Sequence, residues 1–98
     1  MDLSIEKNGD VTVIRIQTAR VIYPLLPALV GKTKEEVQGG ARSLVLDLSA
    51  VAYIDSATIG CFMDMYRQAT AAGTALKLSG LQKRVETMLT MTGAQNFL

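Results

Sequence analysis

The sequence has no histidine, no tryptophan and one cysteine, Cys61. Without histidine it cannot build a Ser-His-Asp triad, a Cys-His dyad or a His-ligated zinc or non-haem iron site. A lone cysteine makes neither an internal disulfide nor a thiolate cage for zinc, which suits a reducing compartment. Charge of one sign is also missing: 10 Lys and Arg stand against 9 Asp and Glu, for a net charge of +1. The basic residues are scattered from Lys7 to Arg84, with only Lys83 and Arg84 adjacent, and aromatics are 5% of the chain. Neither a phosphate-binding stripe nor a stacking platform is present, so no nucleic-acid partner is expected. The longest apolar stretch, Val21 to Val30, is broken by Pro24 and Pro27 and is far too short to span a bilayer. Met1 to Asp10 lacks the basic and apolar regions of a signal peptide. A cytoplasmic location, no membrane span, no cofactor and no metal are the resulting expectations.

What is present is the composition of a compact chain. It has 98 residues, 49% hydrophobic and 19% charged, enough for one domain over residues 1–98. Leu3 and Ile5 alternate with polar neighbours. Lys7-Asn8-Gly9-Asp10 then reads as a hairpin turn with positive φ at Asn8-Gly9, and a second strand follows from Val11 to Gln17. Pro24 fits the first turn of a helix whose face is Leu26, Leu29, Val30, Thr33 and Val37, ended by Gly39-Gly40. Thr33-Lys34-Glu35-Glu36 matches a capping box, but a helix starting there would be very short. Ser43 to Leu48 is apolar enough for a buried central strand. A helix from Ser56 to about Ala72 carries Ile59, Phe62, Met63, Tyr66 and Thr70 on one face. Ala75 to Leu78 is a further strand, and Leu81, Val85, Met88 and Leu89 mark a last helix ended by Gly93. The order β-β-α-β-α-β-α predicts an α/β domain with a mixed sheet.

Leu44 to Gly60 is the informative segment, because a buried strand there is followed by Asp55-Ser56 at a helix entrance. Ser56 has two readings. Its hydroxyl can cap the helix by accepting a backbone N–H, worth about 1 kcal/mol. The same place also suits a covalent phosphate, which would meet free N–H groups and the positive end of the helix dipole. Opposite the apolar stripe lie Ala57, Gly60, Cys61, Asp64, Gln68 and Ala71, mostly small. A solvated helix face usually carries Lys, Glu and Arg, so this bare face would let another protein's backbone approach closely. A phosphoserine would place about −1.5 to −2 charges beside Asp55 and Asp64 and oppose such docking.

These residues resemble the STAS domain, and among its members the free-standing anti-sigma factor antagonists. The resemblance rests on Val45-Leu46-Asp47-Leu48-Ser49, on Ile54-Asp55-Ser56 and on Gly60. Ala72-Gly73-Thr74 and Leu89-Thr90-Met91-Thr92-Gly93 also fit. It implies a mixed four- to five-stranded sheet with helices mainly on one face. It also implies a protein that is not an enzyme and is a monomer when free, whose partner is an anti-sigma factor with serine-kinase activity. In this scheme Ser56 is the phosphoacceptor and Asp55 its acidic neighbour. The unphosphorylated form binds the kinase and frees a sigma factor, and phosphorylation reverses this. A STAS subunit of a lipid-transport or signalling complex, not phosphorylated, is the alternative.

The sequence departs from the family pattern at two places. Thr58-Ile59 replaces the usual Gly-Leu, putting a β-branched side chain near the acceptor that could narrow access or act as a second hydroxyl. Ala19-Arg20-Val21-Ile22 stands where relatives often carry Gly-(Arg or Glu)-Leu-Asp, so an Asp is missing and Val21, Ile22 and Tyr23 form an apolar patch. Three other features invite functional readings. Gly31-Lys32-Thr33 resembles the end of a P-loop but lacks the glycine five residues earlier. Asp47, Asp55 and Asp64 are not expected to converge on a metal. Cys61 lacks a neighbour that would lower its pKa. The five methionines read as core filling, with Met65 at the stripe's margin a candidate for an interface.

Overall fold

Two short strands open the chain in the computed structural model, which describes residues 2–93. β1 (Leu3–Asn8) and β2 (Val11–Ile16) pair antiparallel, from Leu3 opposite Ile16 to Asn8 opposite Val11. The loop between them is Gly9-Asp10, and only Gly9 takes a positive φ, +60°. That is the two-residue hairpin with glycine first. Asn8, expected at positive φ, instead belongs to the ladder.

β3 (Arg20–Val21) leads through a single 3₁₀ turn, Tyr23–Leu25, into α1 (Leu26–Gln38). Pro24 and Pro27 both lie in first turns, where a missing N–H costs no hydrogen bond. α1 buries Leu26, Leu29 and Thr33 and runs through Thr33–Glu36, so the capping-box pattern caps nothing. β4 (Ser43–Asp47), β5 (Tyr53–Ile54), α2 (Ser56–Ala71), β6 (Ala75–Ser79) and α3 (Lys83–Thr92) follow.

The main sheet has the order β1-β2-β4-β6, antiparallel at β1/β2 and parallel elsewhere. β3 and β5 pair parallel as a separate two-stranded sheet. The mixed sheet thus has four strands, and the connection after β4 carries a strand that periodicity could not reveal in two residues. The crossovers β2-α1-β4 and β4-α2-β6 step the same way along the sheet, so right-handed connections put both helices on one face. Burial follows. The rows Thr12-Leu44-Leu76 and Ile14-Leu46-Leu78 face the helices, and of these six only Leu78 is not fully buried. The opposite face holds Val13-Val45-Lys77 and Arg15-Asp47-Ser79. β4 is therefore central, but only its alternate residues are fully buried.

The buried set of α2 is Thr58, Ile59, Phe62, Met65 and Ala69. Met63 and Tyr66 are half-buried and Thr70 is exposed. The core stripe is thus turned toward Met65, because α2 packs on α1 as well as on the sheet. Met65, expected at a margin, is core at 4% exposure, whereas Met91 stands 81% exposed and fills no core. Among the described residues no helix is long and apolar enough to cross a membrane.

Beyond β4 the chain turns on itself at Asp47-Leu48-Ser49. Asp47 Oδ1 accepts the Ser49 N–H at 2.9 Å, and Gln82 Nε2 donates to the Ser49 carbonyl at 2.8 Å. Gly80 packs on this turn with φ +67°. A Cβ there would lie 3.0 Å from Asp47 Oδ1 and 3.1 Å from Ser49 N. Gly80→Ala is expected to destabilise the fold by about 1–3 kcal/mol, through both strain and contact. Gly31 sits mid-helix with open space around it. Gly31→Ala is expected to stabilise by about 0.5–1 kcal/mol. Urea denaturation of the two variants checks both signs.

Candidate functional site

Asp55 is the N-cap of α2, in extended conformation, and its carboxylate is fully engaged. Oδ1 accepts the Thr58 N–H at 2.8 Å and lies 2.6 Å from Thr58 Oγ1, and Oδ2 accepts the Tyr23 N–H at 2.9 Å. Thr58 Oγ1 also lies 2.8 Å from the Val21 carbonyl, so its single proton is shared between two acceptors. These bonds tie the head of α2 to the segment joining β3 to α1. The Thr58 hydroxyl, above all, holds the Asp55 carboxyl below the usual carboxylate range, with the Tyr23 and Thr58 N–H groups adding to it and burial opposing.

Two sequence expectations change here. The capping role open to Ser56 belongs to Asp55. Thr58 is fully buried, so it neither crowds Ser56 from the surface nor offers a second hydroxyl. Val21, also fully buried, likewise stands behind the surface and not on it. Thr58 and Val21 form the joint beneath the site.

Ser56 is the first residue of α2 and exposed. Its hydroxyl makes no hydrogen bond among the described residues. Beside it opens an apolar cleft of about 190 Å³ walled by Ile59, Met88, Met91 and Thr92. Sequence reasoning missed this cleft. Its only trace there is the spacing of Met88, Met91 and Thr92, which puts them on one edge of α3. A second missed contact lies at the small sheet, where Arg20 Cζ sits 4.8 Å from the centroid of the Tyr53 ring.

The small face of α2 lines a groove of about 410 Å³ shared with α1. Ala57, Gly60, Asp64 and Gln68 are exposed there and Cys61 is half-buried, with Tyr23, 70% exposed, at the end nearest Asp55. Ala71 is exposed but lies outside this groove, and Ile22 is half-buried. A Cβ on Gly60 would meet nothing within 4 Å. Glycine is therefore not needed at position 60 for packing, although it lowers helix propensity there. Asp64 pairs with Arg67. Burial, and then Asp64, pushes the Cys61 thiol up, and its Sγ lies 3.6 Å from Met65 Sδ, an environment opposite to that of a nucleophile.

The three aspartates have separate partners. Asp47 binds the Ser49 N–H and lies 3.4 Å from Arg15, Asp55 is the cap and Asp64 pairs with Arg67. Gly31-Lys32-Thr33 lies inside α1, where no phosphate-cradling loop exists.

Removing the Asp55 carboxylate frees donors on two segments. Asp55→Ala is expected to cost about 1–2 kcal/mol at neutral pH. Because the folded-state pKa is depressed, the contribution is complete above the unfolded value of about 3.9 and is lost as pH falls through the lower folded value. The stability gap between wild type and Asp55→Ala is therefore constant from about pH 5 to 7 and closes below about pH 4. Urea titrations at several pH values measure it.

Comparison with known proteins gives a consistent result. Residues 2–98 match the STAS domain. No curated protein sequence matches. Among solved structures, an anti-sigma factor antagonist from Mycobacterium paratuberculosis superimposes with a TM-score of 0.85 at 20% identity, over 97% of this chain and 80% of that one. The unphosphorylated form of SpoIIAA, an anti-sigma factor antagonist, gives 0.81 at 15% identity, over 98% and 84%. The phosphorylated form of Bacillus SpoIIAA gives 0.74 at 14%, over 98% and 87%. Two further matches are to far longer chains. This chain spans 20% of Mglu, with 82% of itself covered (TM-score 0.71, 20% identity), and 14% of the murine anion transporter Slc26a9, with 88% covered (0.75, 15%). A domain match over residues 2–98, on a fold shared with free-standing antagonists, places this chain in the STAS domain family.

Proposed function

We propose that this chain is an anti-sigma factor antagonist, working in the cytoplasm by partner switching. In this reading it binds an anti-sigma factor with serine-kinase activity while Ser56 is unmodified, and phosphorylation of Ser56 releases it. The observation that carries the reading is the exposed Ser56 hydroxyl, free of any capping duty because Asp55 performs it. Had Ser56 been the cap, modifying it would have cost the helix its first hydrogen bond. Instead the hydroxyl can be modified while the Asp55 joint stays closed.

The contact surface in this reading is Ser56 with Ala57, Gly60, Cys61, Asp64, Ile22 and Tyr23, backed by Asp55, Thr58 and Val21. A phosphate on Ser56 would find the Ser56 and Ala57 N–H groups, but Asp55 already offsets the helix dipole. Repulsion from Asp55, and from any acidic surface of the partner, is then the larger effect, which favours release. A second reading, an unphosphorylated subunit of a transport or signalling complex, draws on Ile22 standing where relatives often carry Asp. The chain's fold also recurs within an anion transporter.

Mixing the protein with its candidate kinase and ATP is expected to add one phosphate, mapped by mass spectrometry to Ser56 and absent in Ser56→Ala. No phosphate favours the second reading, and phosphate persisting in Ser56→Ala overturns the Ser56 switch. Ser56→Asp is expected to weaken kinase binding at least about tenfold, while Ser56→Ala keeps it. Gly60 separates surface from fold. Gly60→Ala is expected to raise stability by about 0.5–1 kcal/mol, whereas Gly60→Arg keeps the circular dichroism of the fold and abolishes partner binding.

A further inference from the structure

Thr33 Oγ1, on a residue 4% exposed, is the one buried side-chain polar atom among the described residues without a hydrogen-bond partner. A helical threonine usually donates to a carbonyl one turn earlier, and buried hydroxyls are rarely left unmet. Thr33 lines a cleft of about 200 Å³ between α1 and α2, walled by Val30, Val37, Met65, Ala69 and Ala72. At its mouth stands Lys34. Lys34 makes no ion pair among the described residues, although Lys32 pairs with Glu35 and Lys7 with Glu36. The cleft shares Val30, Met65 and Gln68 with the larger groove, which carries Asp64, paired with Arg67, and runs on toward Leu26 and Tyr23.

We infer that this cleft binds a linear aliphatic carboxylate, its head on the Thr33 hydroxyl and Lys34 and its tail along the α1/α2 groove. Each part of the ligand answers a feature of the site. The alkyl walls take the chain, the unmet hydroxyl donates to the head, and the free ammonium supplies its counter-charge. The inference does not depend on phosphorylation of Ser56.

Methyl-labelled protein titrated with decanoate below its micelle-forming concentration tests this by NMR. Saturable shifts of the Val30, Val37 and Met65 methyls are expected, with none from decyltrimethylammonium, which has the same tail and the opposite head. Thr33→Val keeps the shape and removes the hydroxyl, so it should fold with an unchanged or higher Tm and bind decanoate about fivefold more weakly. Lys34→Gln, on the surface, should weaken it about as much. Non-saturable shifts, equal binding of both amphiphiles, or undiminished affinity in Thr33→Val would each overturn the site. So would finding that Thr33 holds only a water molecule that decanoate does not displace.

Discussion

The architecture around the candidate site hangs on one carboxylate. Asp55 gathers donors from two parts of the chain, the Tyr23 N–H on one side and the Thr58 N–H and hydroxyl on the other. Thr58 then passes the connection to the Val21 carbonyl, and the β3/β5 pair lies directly beneath. A capped helix start, a fixed Tyr23 and a hydroxyl facing solvent at position 56 are therefore one arrangement. Partly exposed carboxylates are usually weak contributors, but three donors in fixed positions need no ordering of long side chains.

Seen this way, the lack of histidine has a positive counterpart. The chain offers no histidine to activate Ser56, and its cysteine is pushed away from reactivity. What it offers is a hydroxyl on a rigid mount, beside a helix face kept free of long side chains. In the proposed reading, that surface is what a partner recognises, and the partner carries the catalytic groups itself. The exposed Met91 and the cleft at Ser56 enlarge that surface on the α3 side with a side chain able to adapt its shape.

Much of the fold was legible because its elements have strong periods and clear ends. The hairpin, α1 with its two prolines and closing glycines, the central strand and α2 all follow from spacing. The two-residue strands β3 and β5 were not legible, since two residues carry no period and exist only by pairing across 33 positions, Arg20 with Tyr53. The rotation of α2 toward Met65 was hidden as well, because it depends on where α1 lies. At the site, Asp-Ser at a helix entrance was plain, yet which residue caps was not. Both side chains can cap, and the decision came from Tyr23 and Val21, far away in sequence. Thr58 misled for a related reason. Its hydroxyl is consumed by a carbonyl that only the folded chain brings within 2.8 Å.

The helix-free face of the sheet has a different consequence. Arg15 sits at its middle, 3.2 Å from Glu6 and 3.4 Å from Asp47, among Val13, Val45 and Lys77. A bare sheet face studded with valines is a natural partner for another such face, about 10 Å away in a sandwich. Stacking two copies here would take the guanidinium and both carboxylates out of water, a desolvation that their mutual attraction does not recover. The ion triplet thus works as a spacer. It makes face-to-face stacking of two such sheets costly wherever that face meets water.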